Sequence, residues 1–141
     1  MTEPDATTPF RHTLRVYWED TDAGGVVFYA NYLKFFERAR TEWLRGLGFG
    51  QERLRTDTGA IFVVADTSVR YVSPARLDDL LEVSVLPEEI GRASMRLVQQ
   101  AWRGDGEQRE LVAEGRIRIG CVDAGTFTTR RIPNDILKLL K

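Results

Sequence analysis

The stretch EDTDAGGVVFYANYLKFFERARTEWLR, Glu19 to Arg45, changes character halfway along. Its first part sets three carboxylates, Glu19, Asp20 and Asp22, beside the adjacent glycines Gly24 and Gly25. Such a cluster interrupts any regular pattern and marks a turn or irregular loop. Beyond it, between Asn31 and Leu47, the apolar residues Tyr32, Phe35, Phe36, Ala39, Trp43, Leu44 and Leu47 recur at three- and four-residue steps. Glu37, Arg38, Arg40, Glu42 and Arg45 fall mostly elsewhere, so the spacing predicts one long amphipathic helix. Asn31 suits its first turn, and Gly46 and Gly48 supply breakers where it should end. The bulk of the apolar stripe demands a sheet or another helix to bury it.

Outward from the helix the pattern is that of strands. Upstream, Arg11 to Trp18 is rich in β-branched and aromatic residues, which predicts a first strand. Downstream, after a polar connection QERLRTDTG, strands are expected over Ala60–Val72, Leu80–Leu86, Ala93–Trp102 and Leu111–Val122. Ser73-Pro74, PEEIGR and RGDGEQ supply the turns between them, and Pro133 can open a short terminal helix. The order strand, long helix, then several antiparallel strands is an α+β arrangement. An antiparallel sheet wrapped around one central helix, the hotdog fold, fits this order, and so do other α+β domains.

Composition narrows the function. At 141 residues the chain has the length of one domain. Residues 1–10, MTEPDATTPF, read as a disordered leader without the basic start and apolar run of a signal peptide, and 11–141 as a single domain. A net charge of -1, from 20 basic and 21 acidic residues, provides no field to hold a nucleic-acid backbone. No apolar run approaches the roughly 20 residues that cross a bilayer, so no membrane insertion is expected. The single Cys121 cannot form an internal disulfide, which favours a reducing, cytoplasmic setting.

The loop before the helix is the place for chemistry. The first turn of a helix carries N–H groups without intrahelical partners and a partial positive charge, and can hold a developing oxyanion. A carboxylate beside it can attack a carbonyl or activate water. The same acids also read as a solvated turn that caps a helix, and spacing alone does not specify the electrophile. His12, the one histidine, stands in the first predicted strand, and no G-x-S-x-G elbow, P-loop or metal-ligand spacing is present. GLGFG from Gly46 follows a helix rather than a strand and reads as a helix stop, not a dinucleotide site. Arg70, Arg76 and Arg92 fall at strand ends or turns, where they could reach phosphates.

Glu19 to Arg45 resembles the signature of the 4-hydroxybenzoyl-CoA thioesterase family, and looks closest to its Tol-Pal-associated acyl-CoA thioesterase branch. FVV at Phe62, YVSPARLDDLLEV from Tyr71 and CVD at Cys121 also resemble that branch, so the similarity covers roughly residues 11–124. The resemblance implies a hotdog fold, homodimers whose sheets join, often paired into homotetramers, and active sites at the dimer interface. It implies hydrolysis of an acyl-CoA with no cofactor and no metal. Asp22 matches the family's catalytic aspartate, as nucleophile or general base, and the N–H of Tyr29 its oxyanion donor. Asn31 and Tyr32 belong to the same motif and are expected to shape the acyl pocket, and Arg92 falls near a segment that grips the nucleotide. Many members of the branch carry histidine where this chain has Tyr29, whereas tyrosine is what the aromatic-acyl enzyme shows. Two other readings are an acyl-CoA-binding or scaffold protein with little hydrolytic activity, and a hotdog dehydratase, which would need a histidine beside an acid near the helix.

Overall fold

The computed structural model describes residues 9–104 and 108–140. Five strands form one antiparallel sheet in the order β1-β3-β4-β5-β2, with β1 at Phe10–Arg15, β2 at Ala60–Tyr71, β3 at Leu80–Ile90, β4 at Ser94–Arg103 and β5 at Glu110–Asp123. The long helix α1, Tyr32–Gly46, packs on one face of that sheet, and this is the hotdog arrangement. A shorter α2, Gln51–Thr58, and a terminal α3, Asn134–Leu140, complete it.

Alternation explains why the sheet has an inside. Leu81, Val83 and Val85 of β3 are buried, as are Met95, Leu97, Gln99 and Ala101 of β4, at the two-residue period of a strand. Facing them, Tyr32, Phe35, Phe36, Ala39, Trp43 and Leu44 of α1 are buried at the helical period. Removing a side chain as large as Phe35 or Phe36 from water is worth about 1.5–3 kcal/mol. Two features set how closely helix and sheet approach. At Gly115 of β5 an added Cβ would come within 2.8 Å of the Phe36 ring, so only glycine fits. Gln99, fully buried, donates its amide to the Phe36 carbonyl at 2.9 Å and accepts from Arg40 at 2.9 Å, tying the centre of the sheet to α1. Burial also lowers the Arg40 guanidinium pKa below its ordinary value.

Several expectations are corrected. Residues 51–58, read as a polar connection, form α2: only Leu54 on it is buried, so too narrow an apolar stripe was available to reveal its period. Strand β1 ends at Arg15, and Trp18–Asp20 forms a 3₁₀ turn instead of continuing the strand. Phe10, assigned to the leader, is the first residue of β1, while residues 1–8 lie outside the described residues. Strand β3 runs through Pro87 to Ile90, because an irregularity in pairing between Pro87 and Glu89 absorbs the proline. At the end of α1, Gly48 takes φ 99° and the N–H of Phe49 returns to the Leu44 carbonyl, the left-handed stop its sequence announces.

Candidate active site

Between β1 and α1 the chain folds back on itself in a tight hairpin. The Asp22 N–H donates to the Val26 carbonyl at 2.9 Å, the Gly25 N–H returns to the Asp22 carbonyl at 3.1 Å, and Thr21 pairs with Val27. Gly25 stands at φ 79°, the left-handed position that closes such a three-residue turn. The carboxylate of Asp22 points along this turn, accepting the Gly24 N–H at 2.8 Å through one oxygen, and the residue is exposed to solvent.

A second segment clasps the hairpin from outside. The Val27 N–H donates to the Ala75 carbonyl at 2.8 Å, and Val26 pairs with Arg76. Asp22, Val26 and Arg76 therefore follow one another across a three-stranded ribbon, which puts the Arg76 backbone about 10 Å from that of Asp22. The clasp is itself braced. Arg103 donates to the Pro74 carbonyl at 2.7 Å and pairs with Asp79 at 3.3 Å and with Glu110, while Asp79 accepts the Arg76 N–H at 2.8 Å. The Arg103 guanidinium holds the Glu110 carboxyl below the usual carboxylate range, and Glu110 in turn raises Arg103.

Asp20 anchors the hairpin to the helix. Although charged, it is only 3% exposed. One oxygen accepts the Asn31 amide at 2.8 Å and the other the Tyr17 N–H at 2.8 Å, while its carbonyl accepts the Phe28 N–H at 2.9 Å. Buried carboxylates are tolerated only when so satisfied. Asn31, expected to shape the acyl pocket, is itself buried and spends its amide on Asp20; it makes no side-chain capping bond to α1.

The helix entry is a 3₁₀ turn, Tyr29–Asn31, that runs directly into α1. The N–H groups of Tyr29 and Ala30 stand at its start, where no intrahelical carbonyl exists for them, and neither meets an acceptor among the described residues. Beside them lies a shallow cleft of about 290 Å³ walled by Val27, Tyr29, Tyr32, Tyr71, Val72 and Pro74. Tyr32 forms one wall of this cleft. Its phenol oxygen accepts the Ala75 N–H at 3.4 Å, and burial pushes the phenol pKa above its ordinary value. Asp22 lies at the same end of the sheet as Tyr29 and Tyr32, across the hairpin from Val26, which stands three residues before Tyr29, but it does not line the cleft.

Arg92 is not brought to this end. It lies in the turn between β3 and β4, where its carbonyl accepts the Ile132 N–H, whereas the Asp22 hairpin sits by the opposite end of β3. The eleven residues of β3 separate the two, a path of roughly 35 Å along the strand. Arg70, on β2, approaches Glu114 at 3.9 Å on the sheet. Two site-forming residues escaped the sequence reading: Asp20 was one of three acids with no role attached, and Tyr71 only part of a longer motif. Their partners lie 11 and 42 positions away, Asn31 and Tyr29 respectively, and no local pattern signals such pairings. Among the described residues no group of three or more His, Cys, Asp or Glu side chains could hold a metal ion, and no helix is long and apolar enough to cross a membrane.

Comparison with known proteins agrees with this architecture. A family model described as thioesterase superfamily matches residues 24–110. The acyl-CoA thioester hydrolase YbgC of Escherichia coli O6:H1 is 41% identical over 135 residues, covering 96% of this chain and 98% of that protein. A solved structure of a hypothetical protein from Aquifex aeolicus superimposes with a TM-score of 0.85 at 32% identity, covering 94% of this chain and all of that one. A 4-hydroxybenzoyl-CoA thioesterase mutant complexed with 4-hydroxybenzoyl-CoA shares the fold, with a TM-score of 0.85 at 20% identity and coverage of 94% and 99%. With more than half of its length matched by the family model and a relative so similar end to end, this chain belongs to the thioesterase superfamily, among the relatives of the YbgC acyl-CoA thioester hydrolases.

Proposed function

We propose that the protein hydrolyses an acyl-CoA thioester to the free acid and coenzyme A, with Asp22 as the reacting carboxylate and the Tyr29 N–H as oxyanion donor. The observation that carries the proposal is the hairpin that holds Asp22 beside Val26 and Val27, immediately before a helix entry whose first N–H groups have no acceptor. The thioester carbonyl enters with its oxygen toward Tyr29 and its carbon toward Asp22. Two routes are open to the carboxylate. As base it takes a proton from water, whose oxygen bonds the carbonyl carbon. As nucleophile it bonds that carbon itself, giving an acyl-aspartyl anhydride that water then opens. In both, the C–S bond breaks, the sulfur leaves as coenzyme A thiolate and is protonated, and Asp22 ends as it began. An oxyanion donor of this kind is worth about 2.7–4 kcal/mol in the transition state.

A second copy of the chain completes the site. Strand β2 is an edge strand. Beside it runs a groove of about 170 Å³ in which Phe62, Val64, Met95, Leu97 and Ile119 face Trp43, and Val64 is 50% exposed. An unprotected edge next to an apolar groove invites pairing. Antiparallel pairing of β2 with its copy sets the Tyr71 end of one subunit against the Ala60 end of the other. Arg92 shares the Ala60 end of the sheet, so the partner subunit's Arg92 approaches the Asp22 end and takes a place at the nucleotide of coenzyme A that it lacks within one chain. Two such dimers joined would make the homotetramer.

The test is thiol release from a panel of short, long and aromatic acyl-CoAs, with calorimetry alongside. Turnover of at least one substrate is expected. Binding of acyl-CoA without thiol release from any of them would make this a binding protein instead.

A further inference from the structure

Tyr71, the last residue of β2, reaches across the cleft to the helix entry. Its hydroxyl donates to the Tyr29 carbonyl at 2.9 Å, a contact between residues 42 positions apart. The ring is fixed from two sides: it meets Tyr29 edge-on, with centroids 6.3 Å apart at 83°, and Tyr32 with centroids 5.7 Å apart at 58°. At 48% exposure it is too open for core packing to explain its place.

The carbonyl it grips belongs to the same peptide group as the Ala30 N–H. A hydrogen bond accepted by a carbonyl polarises its amide and makes the N–H a better donor. It also fixes the plane of that peptide, and with it the direction of the Ala30 N–H, which stands next to the Tyr29 N–H at the same helix entry. Both N–H groups stand at the entry of α1 without an acceptor among the described residues.

We infer that Tyr71 is a positioning residue for thioester hydrolysis: its hydroxyl locks and polarises the Tyr29–Ala30 peptide so that the N–H groups of Tyr29 and Ala30 together face the thioester oxygen. The inference rests on the hydrolytic reading above and adds Ala30 as a second donor. A hydroxyl that serves only to hold the fold would stabilise bound substrate and transition state alike. One that orients oxyanion donors acts on the carbonyl alone.

The experiment uses Tyr71→Phe, which keeps the ring and removes the donor, in the full-length protein. Expected are a fall of about tenfold in kcat, a KM raised no more than severalfold and an unchanged melting temperature. Two unreactive ligands separate positioning from packing: an acyl-CoA ketone analogue, with the sulfur replaced by CH2 and the carbonyl kept, and an S-alkyl-CoA thioether without the carbonyl. Tyr71→Phe should weaken the ketone severalfold and leave the thioether unaffected. Wild-type kcat in the variant, or equal weakening of both ligands, overturns the assignment. If the wild-type protein released no thiol from any acyl-CoA, hydrolysis itself would fall, and the ketone-to-thioether comparison would still decide whether Tyr71 acts on a carbonyl.

Discussion

The buried carboxylate of Asp20 and the amide of Asn31 meet at 2.8 Å, and this single contact fastens the Asp22 hairpin to the start of the central helix. Among the described residues the Asp20–Asn31 bond is the one hydrogen bond between side chains that joins the hairpin to the helix entry, beside the backbone bonds of the hairpin and the burial of Val27. Asn31→Ala leaves a buried charged acceptor short of a partner, a loss of about 1–3 kcal/mol or more. The expected outcome is a melting temperature lowered by several degrees together with a fall in kcat, measured by thermal denaturation and thiol release. An Asn31→Ala protein with wild-type stability and turnover would show that the hairpin is held by other means.

Gly115 tests the approach of helix to sheet. An added methyl would stand 2.8 Å from the Phe36 ring and 3.1 Å from Ile117, and both neighbours are fully packed. Gly115→Ala should cost about 1–3 kcal/mol, the usual penalty of overpacking. Chemical denaturation should show a lower midpoint with an unchanged slope.

The helix α1 was legible because a seventeen-residue window carries an unbroken apolar stripe, and the strands because their burial alternates; α2 was not, with one buried residue in eight. The site divides in the same way. Asp22, Gly25 and the helix entry are contiguous in the chain and could be read together. The clasp from Ala75 and Arg76, the Tyr71 bond and the Arg103 brace are contacts over dozens of residues, created by the order in which strands pair. Arg92 could be read from the sequence as a basic residue at a turn, but not its distance from Asp22 within one chain, because the length of β3 sets that separation.

Acid sensitivity has a visible source at the loop after β5. The Thr126 and Gly125 N–H groups hold the Asp123 carboxyl below its usual range, with Arg130 adding to the effect. A carboxyl depressed in the folded state stabilises that state above its unfolded pKa of about 3.9, and the contribution disappears as pH falls through the lower folded value. The stability of wild type should therefore exceed that of Asp123→Asn near neutrality, and the gap should narrow below about pH 4. Melting curves from pH 7 down to pH 3 check it; a gap that widens on acidification would reverse the sign.

Pairing through β2 predicts an assembled enzyme. Sedimentation should give a mass of twice or four times 16.1 kDa. Val64→Glu, placing a charge where the exposed apolar edge meets the groove, should yield monomers and lower turnover together. A monomeric variant that retains wild-type activity would confine the site to a single chain.

The central assignment is Asp22, and the direct measurement is the steady-state rate of thiol release by Asp22→Asn beside wild type, with folding monitored by melting temperature. Asparagine preserves the shape and the acceptor for the Gly24 N–H but is neither base nor nucleophile. A loss of about 10²–10⁴-fold in kcat with the fold intact is predicted. Turnover at the wild-type rate would contradict the account and send the search for the reacting group to another residue.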